Sequence, residues 1–215
     1  MSESSTNKPI VLIGGGGHAS VVADILKQQG RDIIAIISPN VFSKCSIFNN
    51  IDIFEKDEEI LRFNPAQVVL VNAIGVLPGK HIRKKINEYY LEKGYHFESV
   101  VSDGAYISPY AKLKPGVQIF TGAIIQAGVI IEDHTIINSG AVIEHDCYIG
   151  KYNFVAPRAV ICGQCKTEED VFIGANATVV QSIHLNQGVI IGANALVTKD
   201  IFSGQRVYAQ RSVIR

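Results

Sequence analysis

An aliphatic residue returns every six positions through the second half of the chain, without a single insertion. A second column, four residues after each aliphatic position, holds mostly small side chains such as Ala105, Ala111 and Ala123. Neither the period of an α-helix nor the alternation of a single strand produces this pattern. It is typical of a left-handed parallel β-helix, in which three six-residue segments make one triangular coil. The aliphatic column has seventeen positions, of which Thr167 alone is not aliphatic: Val101, Ile107, Leu113, Ile119, Ile125, Ile131, Ile137, Ile143, Ile149, Val155, Ile161, Thr167, Ile173, Val179, Leu185, Ile191 and Val197.

The coil length predicts which residues lie above one another, because residues about 18 positions apart are stacked along the axis of such a helix. Cys147 and Cys165 therefore fall in one inward column of neighbouring coils. This allows a disulfide or, as we favour, two buried thiols that fill small spaces. The same register points Cys165 inward and Cys162 outward, which disfavours a zinc or redox site at the CGQC stretch. Cys45 is the remaining cysteine of the chain. The spacing of the four cysteines is not that of a secreted disulfide scaffold.

Three charged or titratable residues, Glu144, His145 and Asp146, interrupt the second half at a predicted corner of the coil. A solvated corner is the simplest interpretation. A histidine flanked by carboxylates can instead act as a general base with a fixed tautomer. Gly163, 18 residues further on, is predicted to place an unobstructed backbone N–H beside the imidazole, where it can stabilise an oxyanion. The corner therefore suggests acyl transfer.

Zinc bound by three histidines is an alternative for this fold. The histidines of the second half, His134, His145 and His184, are 11 and 39 residues apart, neither a multiple of 18. They are therefore not predicted to stack on one edge. We expect no metal.

The first half alternates predicted strands and helices, which is typical of a parallel sheet covered by helices. We predict a Rossmann-like domain at residues 8–98, a left-handed β-helix at 99–203 and a C-terminal tail at 204–215. The predicted strands are residues 10–13, 32–37, 51–54 and 68–71, and the predicted helices are residues 19–29, 58–63 and 80–93.

A glycine-rich loop follows the first strand and carries Gly14-x-Gly16-x-x-Ala19 before a helix. This is the context of a turn whose backbone N–H groups bind phosphate. A dinucleotide-binding dehydrogenase would have an acid at the end of the second strand, where this chain has Ser38 and Pro39. A nucleotide-linked ligand is therefore favoured over NAD. Gly75, after the fourth predicted strand, can bring a second loop close to the same phosphates.

The bulk composition excludes some classes of partner. Lys and Arg number 20, as do Asp and Glu, so the chain lacks the basic surplus that nucleic-acid binding favours. The sequence contains no run of 18 apolar residues, so we predict no membrane span. The MSESSTNKP start does not have the pattern of a signal peptide. We expect a cytoplasmic protein.

The combination of GGGGHASVV, AIG followed by IRKKI, and NSGAVIEHDCYIG resembles the bacterial sugar acyltransferases with a left-handed β-helix. That family includes the UDP-4-amino-sugar N-acetyltransferase of bacillosamine synthesis, and GDP-perosamine N-acetyltransferase and the sialic acid O-acetyltransferases are relatives. The resemblance covers about residues 9 to 203. It implies a homotrimer with sites between subunits, a nucleotide-sugar in the N-terminal domain and acetyl-CoA along the β-helix. It leaves open a sugar O-acetyltransferase, and a non-catalytic scaffold that binds nucleotide-sugars.

The resemblance also implies roles for single residues. His145 is the implied catalytic base and Asp146 its partner, Gly163 meets the thioester carbonyl, and Ala175 and Ala193 contact the pantetheine. For the nucleotide-sugar, the implied contacts are Gly16, Gly17, His18, Gly75 and Asn138, to which we add Glu144, Ser38 and Pro39.

Three positions depart from the family pattern. Phe154 stands where many members have a second histidine, nine residues after the catalytic one, and we assign Phe154 to the cofactor. Ser38 and Pro39 stand where many UDP-sugar members have acids, which weakens the choice of uridine over guanosine. The ending VYAQR differs from the usual glycine-proline ending, and Arg211 is a candidate phosphate contact.

Apolar residues outside the two inward columns predict an interface, since large exposed apolar patches are normally covered by a partner. Faces related by a three-fold axis can bury them in a closed ring. These residues occupy the sixth place of their segments: Ile124, Ile130, Ile136, Val142, Tyr148, Phe154 and Val160.

Overall fold

The computed structural model describes residues 8–40 and 46–210 of the chain. Cys45 and Arg211 lie outside the described residues. The chain divides into two compact units, with the division between Val100 and Val101. Neither α-helix of the described segments has the length and apolar character that a membrane span requires.

The first unit is built on a four-stranded parallel sheet with the order β3-β2-β1-β4. Its central strands are fully or largely buried because both faces of the sheet are covered, as expected for continuous apolar runs. The strands are β1 (Ile10–Ile13), β2 (Ile33–Ile37), β3 (Asp52–Phe54) and β4 (Val69–Asn72).

Two α-helices follow β1 and β4. Helix α1 (Gly17–Gln28) begins two residues before the predicted start, since the glycine loop closes directly into the helix. It ends before Gly30, whose φ of +67° suits the left-handed conformation that stops a helix. Helix α2 is Ile82–Glu92. The third predicted helix is a 3₁₀ helix, Asp57–Arg62, and a shorter 3₁₀ turn spans Ser46–Phe48.

Within the described residues, eighteen two-residue strands form three parallel sheets. Every third strand is a neighbour up to the last strand, and this confirms the left-handed β-helix. Paired residues are 18 positions apart, as in Val142↔Val160, except at the last strand, where Ile190 pairs with Arg206. The seven-stranded sheet contains β5 (Val100–Val101), β8 (Gln118–Ile119), β11 (Ile136–Ile137), β14 (Phe154–Val155), β17 (Phe172–Ile173), β20 (Ile190–Ile191) and β22 (Arg206–Val207). The six-stranded sheet contains β6 (Tyr106–Ile107), β9 (Ile124–Ile125), β12 (Val142–Ile143), β15 (Val160–Ile161), β18 (Thr178–Val179) and β21 (Leu196–Val197). The five-stranded sheet contains β7 (Lys112–Leu113), β10 (Ile130–Ile131), β13 (Tyr148–Ile149), β16 (Lys166–Thr167) and β19 (His184–Leu185).

Both inward columns are buried from Val117 onward, and they form one continuous apolar core from Val117 to Ile201. Thr167, the exception in the aliphatic column, is fully buried. Its Oγ1 accepts a hydrogen bond from the Gly150 amide at 3.0 Å. The polar residue is tolerated because its hydroxyl has a partner inside the core.

The cysteines of the β-helix are free thiols. Cys147 and Cys165 are buried, and each Sγ donates to a backbone carbonyl, that of Cys162 at 3.1 Å and that of Val180 at 3.0 Å. The disulfide alternative is therefore wrong, and the two thiols fill the small inward column. Cys162 is half-buried, as its outward register predicts.

The apolar outward residues are less exposed than the sequence suggests. Tyr148 is 37% exposed, whereas Ile136 is fully buried. The cause is visible in the ladder, where Ile136 lies between Gln118 and Phe154 of the neighbouring coils. Side chains stacked at the spacing of neighbouring strands cover one another.

Candidate active site

His145 and Asp146 form a hydrogen-bonded pair at a corner of the β-helix, after β12 and before β13. His145 Nδ1 lies 2.9 Å from Asp146 Oδ2, and the two side chains are 58% and 61% exposed. An acceptor at Nδ1 favours the tautomer with the proton on that nitrogen, which leaves the lone pair of Nε2 available. The pair can therefore act as an oriented base.

Gly163, on the next coil of the β-helix, lies against the imidazole of His145, and any larger residue at this position would clash with the ring. A Cβ atom on Gly163 would lie 2.6 Å from His145 Nε2 and 2.7 Å from Cε1. The Gln164 amide donates to the His145 carbonyl at 2.9 Å, which fixes the two coils at this corner. The imidazole thus lies against the backbone of Gly163.

A second glycine accommodates the carboxylate from the other side. A Cβ atom on Gly128 would lie 2.4 Å from Asp146 Oδ1. Gly128 has a φ of +77° and Asp146 a φ of +60°, both in the left-handed region that this corner requires. Sequence reasoning missed Gly128, although its separation of 18 residues from Asp146 is the signal that identified Gly163.

The amide of Gly163 donates no hydrogen bond within the part of the chain that the structure describes, and the residue is buried beneath the imidazole. Backbone donors of this kind can stabilise the negative oxygen that forms when a thioester carbonyl is attacked. The corner therefore combines a base with an adjacent amide donor.

Glu144 and Cys162 occupy the same corner on neighbouring coils. Glu144 is half-buried, and its amide donates to the Ile161 carbonyl at 2.9 Å. Burial raises the pKa of the Cys162 thiol, and the nearby Cys165 and Glu144 raise it further. A thiol that stays protonated is a poor nucleophile, so Cys162 is poorly suited to attack a thioester.

Ala175 and Ala193 lie on a different corner, the one between the seven-stranded and six-stranded sheets. Ala175 is half-buried and Ala193 is exposed. The Asn194 amide donates to the Ala175 carbonyl at 2.8 Å, so these two coils are in contact. Asn138 begins the corresponding turn two coils earlier, and its Oδ1 accepts from the Ser139 amide at 2.8 Å.

Phe154 belongs to the outer surface of the seven-stranded sheet. Its ring stacks on that of Phe172, with centroids 5.2 Å apart and an interplanar angle of 14°. The corner that carries His145 lies between the six-stranded and five-stranded sheets. A single chain therefore does not bring Phe154, Ala175 and Ala193 to the same corner as His145.

In the first unit, a cavity of about 420 Å³ opens at the carboxyl ends of β1, β2 and β4. Gly16, Ser38, Pro39 and Gly75 line it, so four of the predicted substrate contacts meet in one place. Crevices at this edge of an open parallel sheet are the usual ligand sites of such folds. The complete lining is Ile13, Gly14, Gly15, Gly16, Ile37, Ser38, Pro39, Asn40, Asp57, Ala73, Ile74, Gly75, Ile82 and Ile86.

The two loops of this cavity approach one another closely. A Cβ atom on Gly14, whose φ is +109°, would lie 2.9 Å from Ile74 Cγ1. A Cβ atom on Gly75 would lie 3.5 Å from His18 Cβ, which places Gly75 opposite the glycine loop as predicted. Gly17, the first residue of α1, is exposed.

A buried polar network holds the loop after β4. Arg83 Nη1 donates to the carbonyl oxygens of Asn72 at 2.7 Å and Ile74 at 2.8 Å. Asn72 Oδ1 accepts from the Ile74 amide at 3.0 Å, and Asn72 Nδ2 donates to Asn87 Oδ1 at 2.7 Å. These contacts fix the backbone that leads to Gly75, and sequence reasoning did not anticipate them.

The histidines proposed for an alternative zinc site are separate in this structure. His134 is buried and stacks on Tyr152, with centroids 5.1 Å apart. His184 Nε2 lies 3.2 Å from Glu168 Oε1. Within the described residues, no three His, Cys, Asp or Glu side chains are grouped to hold a metal ion.

Comparison with known families matches both units. Residues 9–90 match the PglD N-terminal domain. Residues 128–163 match the bacterial transferase hexapeptide of six repeats, and residues 166–199 match the hexapeptide repeat of succinyl-transferase.

Solved structures similar to this chain cover 94% of its length. The acetyltransferase domain of PglB from Neisseria gonorrhoeae, in complex with acetyl coenzyme A, is 26% identical with a TM-score of 0.84, and 97% of that chain is covered. A variant of perosamine N-acetyltransferase from Caulobacter crescentus, in complex with CoA and GDP-perosamine, is 26% identical with a TM-score of 0.84 and 93% coverage of that chain. WeeI from Acinetobacter baumannii, at 21% identity, a TM-score of 0.82 and 96% coverage of that chain, shares the fold.

These matches confirm the resemblance drawn from the sequence motifs. The PglD N-terminal domain precedes the hexapeptide repeats in this chain, and two of the similar structures are named as acetyltransferases. The chain combines a PglD N-terminal domain with hexapeptide repeats, as the resemblance to the bacterial sugar acyltransferases with a left-handed β-helix predicted, and it is an acetyltransferase.

Proposed function

We propose that the chain transfers the acetyl group of acetyl-CoA to the 4-amino group of a nucleotide-linked amino-deoxy sugar, of the UDP-4-amino-4,6-dideoxy-N-acetylglucosamine type. The observation that carries this proposal is the His145–Asp146 pair at 2.9 Å with the Gly163 backbone against its Nε2 edge. The bound molecules named for the similar PglB and perosamine N-acetyltransferase structures support the donor and the class of acceptor.

In the proposed reaction, the neutral sugar amine attacks the thioester carbonyl of acetyl-CoA. His145 Nε2 takes a proton from the attacking nitrogen, while Asp146 holds the ring and stabilises the imidazolium that forms. The Gly163 amide donates to the oxyanion of the tetrahedral intermediate. Collapse breaks the carbon–sulfur bond, the amide product forms, and the proton on His145 passes to the departing CoA thiolate.

We propose that the complete site forms between chains of a homotrimer. In one chain, the cofactor contacts Phe154, Ala175 and Ala193 and the acceptor contact Asn138 lie on other parts of the triangular coil than the His145 corner. A neighbouring β-helix packed alongside can bring its own Phe154 and alanine corner to the histidine. The apolar outward residues of the coils, such as Val142 and Val160, support packing of this kind.

The cavity of the first unit is the proposed site for the nucleotide-sugar. Its glycine loop leads into α1, whose N-cap residue Gly16 has no side chain to satisfy the first amides of the helix. Helix N-termini of this kind favour phosphate groups. The proposed contacts to the diphosphate and nucleoside lie in or next to this loop: Gly17, His18, Ser38, Pro39 and Gly75.

Two other functions would use the same surfaces. Transfer to a sugar hydroxyl requires the same base, since His145 would then take the proton of an alcohol. A non-catalytic scaffold would bind the nucleotide-sugar without releasing CoA. The exposed, oriented base at the corner favours catalysis over a scaffold.

The test is a screen for CoA release with acetyl-CoA and UDP- or GDP-linked 4-amino sugars, with the 4-hydroxy sugars as matched acceptors. We expect release with an amino-sugar nucleotide and an acetylated product whose mass increases by one acetyl group. Release with the hydroxy sugars alone would select O-acetylation. Nucleotide-sugar binding without CoA release from any acceptor would select the scaffold.

A further inference from the structure

Asp57 lines the cavity of the first unit, together with the glycine loop, Ser38 and Pro39. Among the described residues that form its wall, Asp57 alone has an ionisable side chain. The rest of the wall is backbone, aliphatic side chain or neutral polar group. Among these described lining residues, Asp57 is therefore the one charged acceptor for a hydrogen-bond donor of a ligand.

The position of Asp57 follows from the strand order. Asp57 begins the 3₁₀ helix three residues after β3 ends at Phe54. Strand β3 pairs in parallel with β2, with Phe54 opposite Ile37, so both strands end at the same edge of the sheet. The sequence has no acid directly after β2, where Ser38 and Pro39 stand. Asp57, which follows the neighbouring strand β3, supplies an acid at the same edge of the sheet.

Tyr90 fixes the carboxylate. Its hydroxyl donates to Asp57 Oδ1 at 2.7 Å, and the Tyr90 side chain is fully buried. Burial, and then the hydrogen bond to Asp57, raises the pKa of Tyr90, so the phenol remains a donor. Oδ2 of Asp57 makes no hydrogen bond within the described parts of the chain. One oxygen is thus held in place, and the other has no described partner and can accept from a ligand.

We propose that Asp57 recognises the nucleoside of the nucleotide-sugar by accepting a hydrogen bond from a donor of its base or ribose. This rests on the proposed function, because it assumes that a nucleotide occupies the cavity. The two sources of the donor have different consequences. Guanine presents neighbouring N–H and NH₂ donors that suit a carboxylate, whereas the single N–H of uracil lies between two carbonyl oxygens that repel one. A ribose hydroxyl, the group that an acid binds in dinucleotide-binding folds, is the same in both nucleotides.

Calorimetry with GDP and UDP on the wild-type chain, Asp57→Asn and Glu58→Gln tests the proposal. Glu58 is the matched control, since it is the neighbouring acid and does not line the cavity. We expect Asp57→Asn to weaken binding of at least one nucleotide by about tenfold or more, because hydrogen bonds to charged groups are the stronger ones. Glu58→Gln should bind as the wild type does, and acetyl-CoA affinity should be unchanged in both variants.

The pattern of loss identifies the donor. A larger loss for GDP than for UDP assigns the contact to the base. If Asp57→Asn weakens GDP and UDP binding equally, and if it no longer weakens the binding of 2′-deoxy or 3′-deoxy nucleotides, the hydrogen bond is to the ribose. Tyr90→Phe, which keeps the buried ring and removes the hydroxyl, should show the same pattern with a smaller loss.

Unchanged binding of both nucleotides by Asp57→Asn would overturn the proposal, as would equal losses that persist with the deoxynucleotides. If Asp57→Asn does not fold, Tyr90→Phe decides in its place, and unchanged nucleotide binding by that variant would overturn the proposal. A wild-type chain that binds neither nucleotide would instead contradict the nucleotide-sugar site of the proposed function, so the two failures are distinguishable.

Discussion

Gly163 lies against the imidazole of His145, so closely that a Cβ atom at Gly163 would be 2.6 Å from Nε2. The two residues are 18 positions apart and are adjacent because successive coils stack in register. A side chain at Gly163 would have to displace the imidazole from its place beside Asp146.

We predict that Gly163→Ala lowers kcat for acetyl transfer by about a hundredfold, within the range that general-base catalysis contributes. The atoms in conflict belong to an exposed imidazole that can rotate away, so the melting temperature should change little. Steady-state kinetics and a thermal melt measured on the same preparation check both statements. Unchanged turnover would show that this contact has no part in the reaction.

Asp146→Asn tests the orientation of the base. Asparagine tolerates the φ of +60° at this position, so the fold should be retained. Its amide cannot stabilise the imidazolium, and we expect kcat to fall about tenfold to a hundredfold while KM for acetyl-CoA changes little. Asp133→Asn, an acid at another corner that pairs with Lys151, is the control and should leave kcat unchanged.

The position of the catalytic corner could be predicted because one rule governs the whole second unit. Once the six-residue period is read, the stacking of Gly163 on His145 follows from the coil length alone. The same rule gives Gly128 beneath Asp146. The conformation of the outward side chains does not follow from this rule, and Ile136 is buried by its neighbours in the ladder although its register points outward.

The first unit was less predictable, since its contacts depend on how separate elements are arranged. The strands and the glycine loop are visible as apolar runs and glycines. Asp57 enters the cavity because β3 lies beside β2, a neighbour relation that local sequence does not encode. The network of Asn72, Arg83 and Asn87 likewise joins a strand end to a helix 11 to 15 residues away.

Gly17→Val separates the two binding sites. A Cβ atom on Gly17 meets nothing within 4 Å, so the side chain can be accommodated by the protein itself. Valine would instead project where phosphate is proposed to approach the start of α1. Calorimetry should show nucleotide-sugar affinity reduced by about tenfold or more and acetyl-CoA affinity unchanged. Loss of acetyl-CoA binding with normal nucleotide-sugar binding would reverse the assignment of the two units.

Assembly should be required for activity if the site lies between chains. We predict a particle of about three times the chain mass of 23.4 kDa in light scattering. A charged substitution on the outer face of the six-stranded sheet, Val160→Asp, should dissociate it and abolish activity. Leu91→Asp, which changes an exposed aliphatic residue of α2, is the matched control. An active monomer at assay concentration would contradict the shared site.

The most direct test of the account is turnover by His145→Ala with the best amino-sugar acceptor. The side chain is 58% exposed, so its loss should leave the melting temperature and the assembly nearly unchanged. We predict a kcat at least about a hundredfold below that of the wild type, with both substrates still binding in calorimetry. The His184→Ala variant, which alters a histidine on the five-stranded sheet, should turn over normally. Near-normal turnover by His145→Ala would contradict the assignment of His145 as the base.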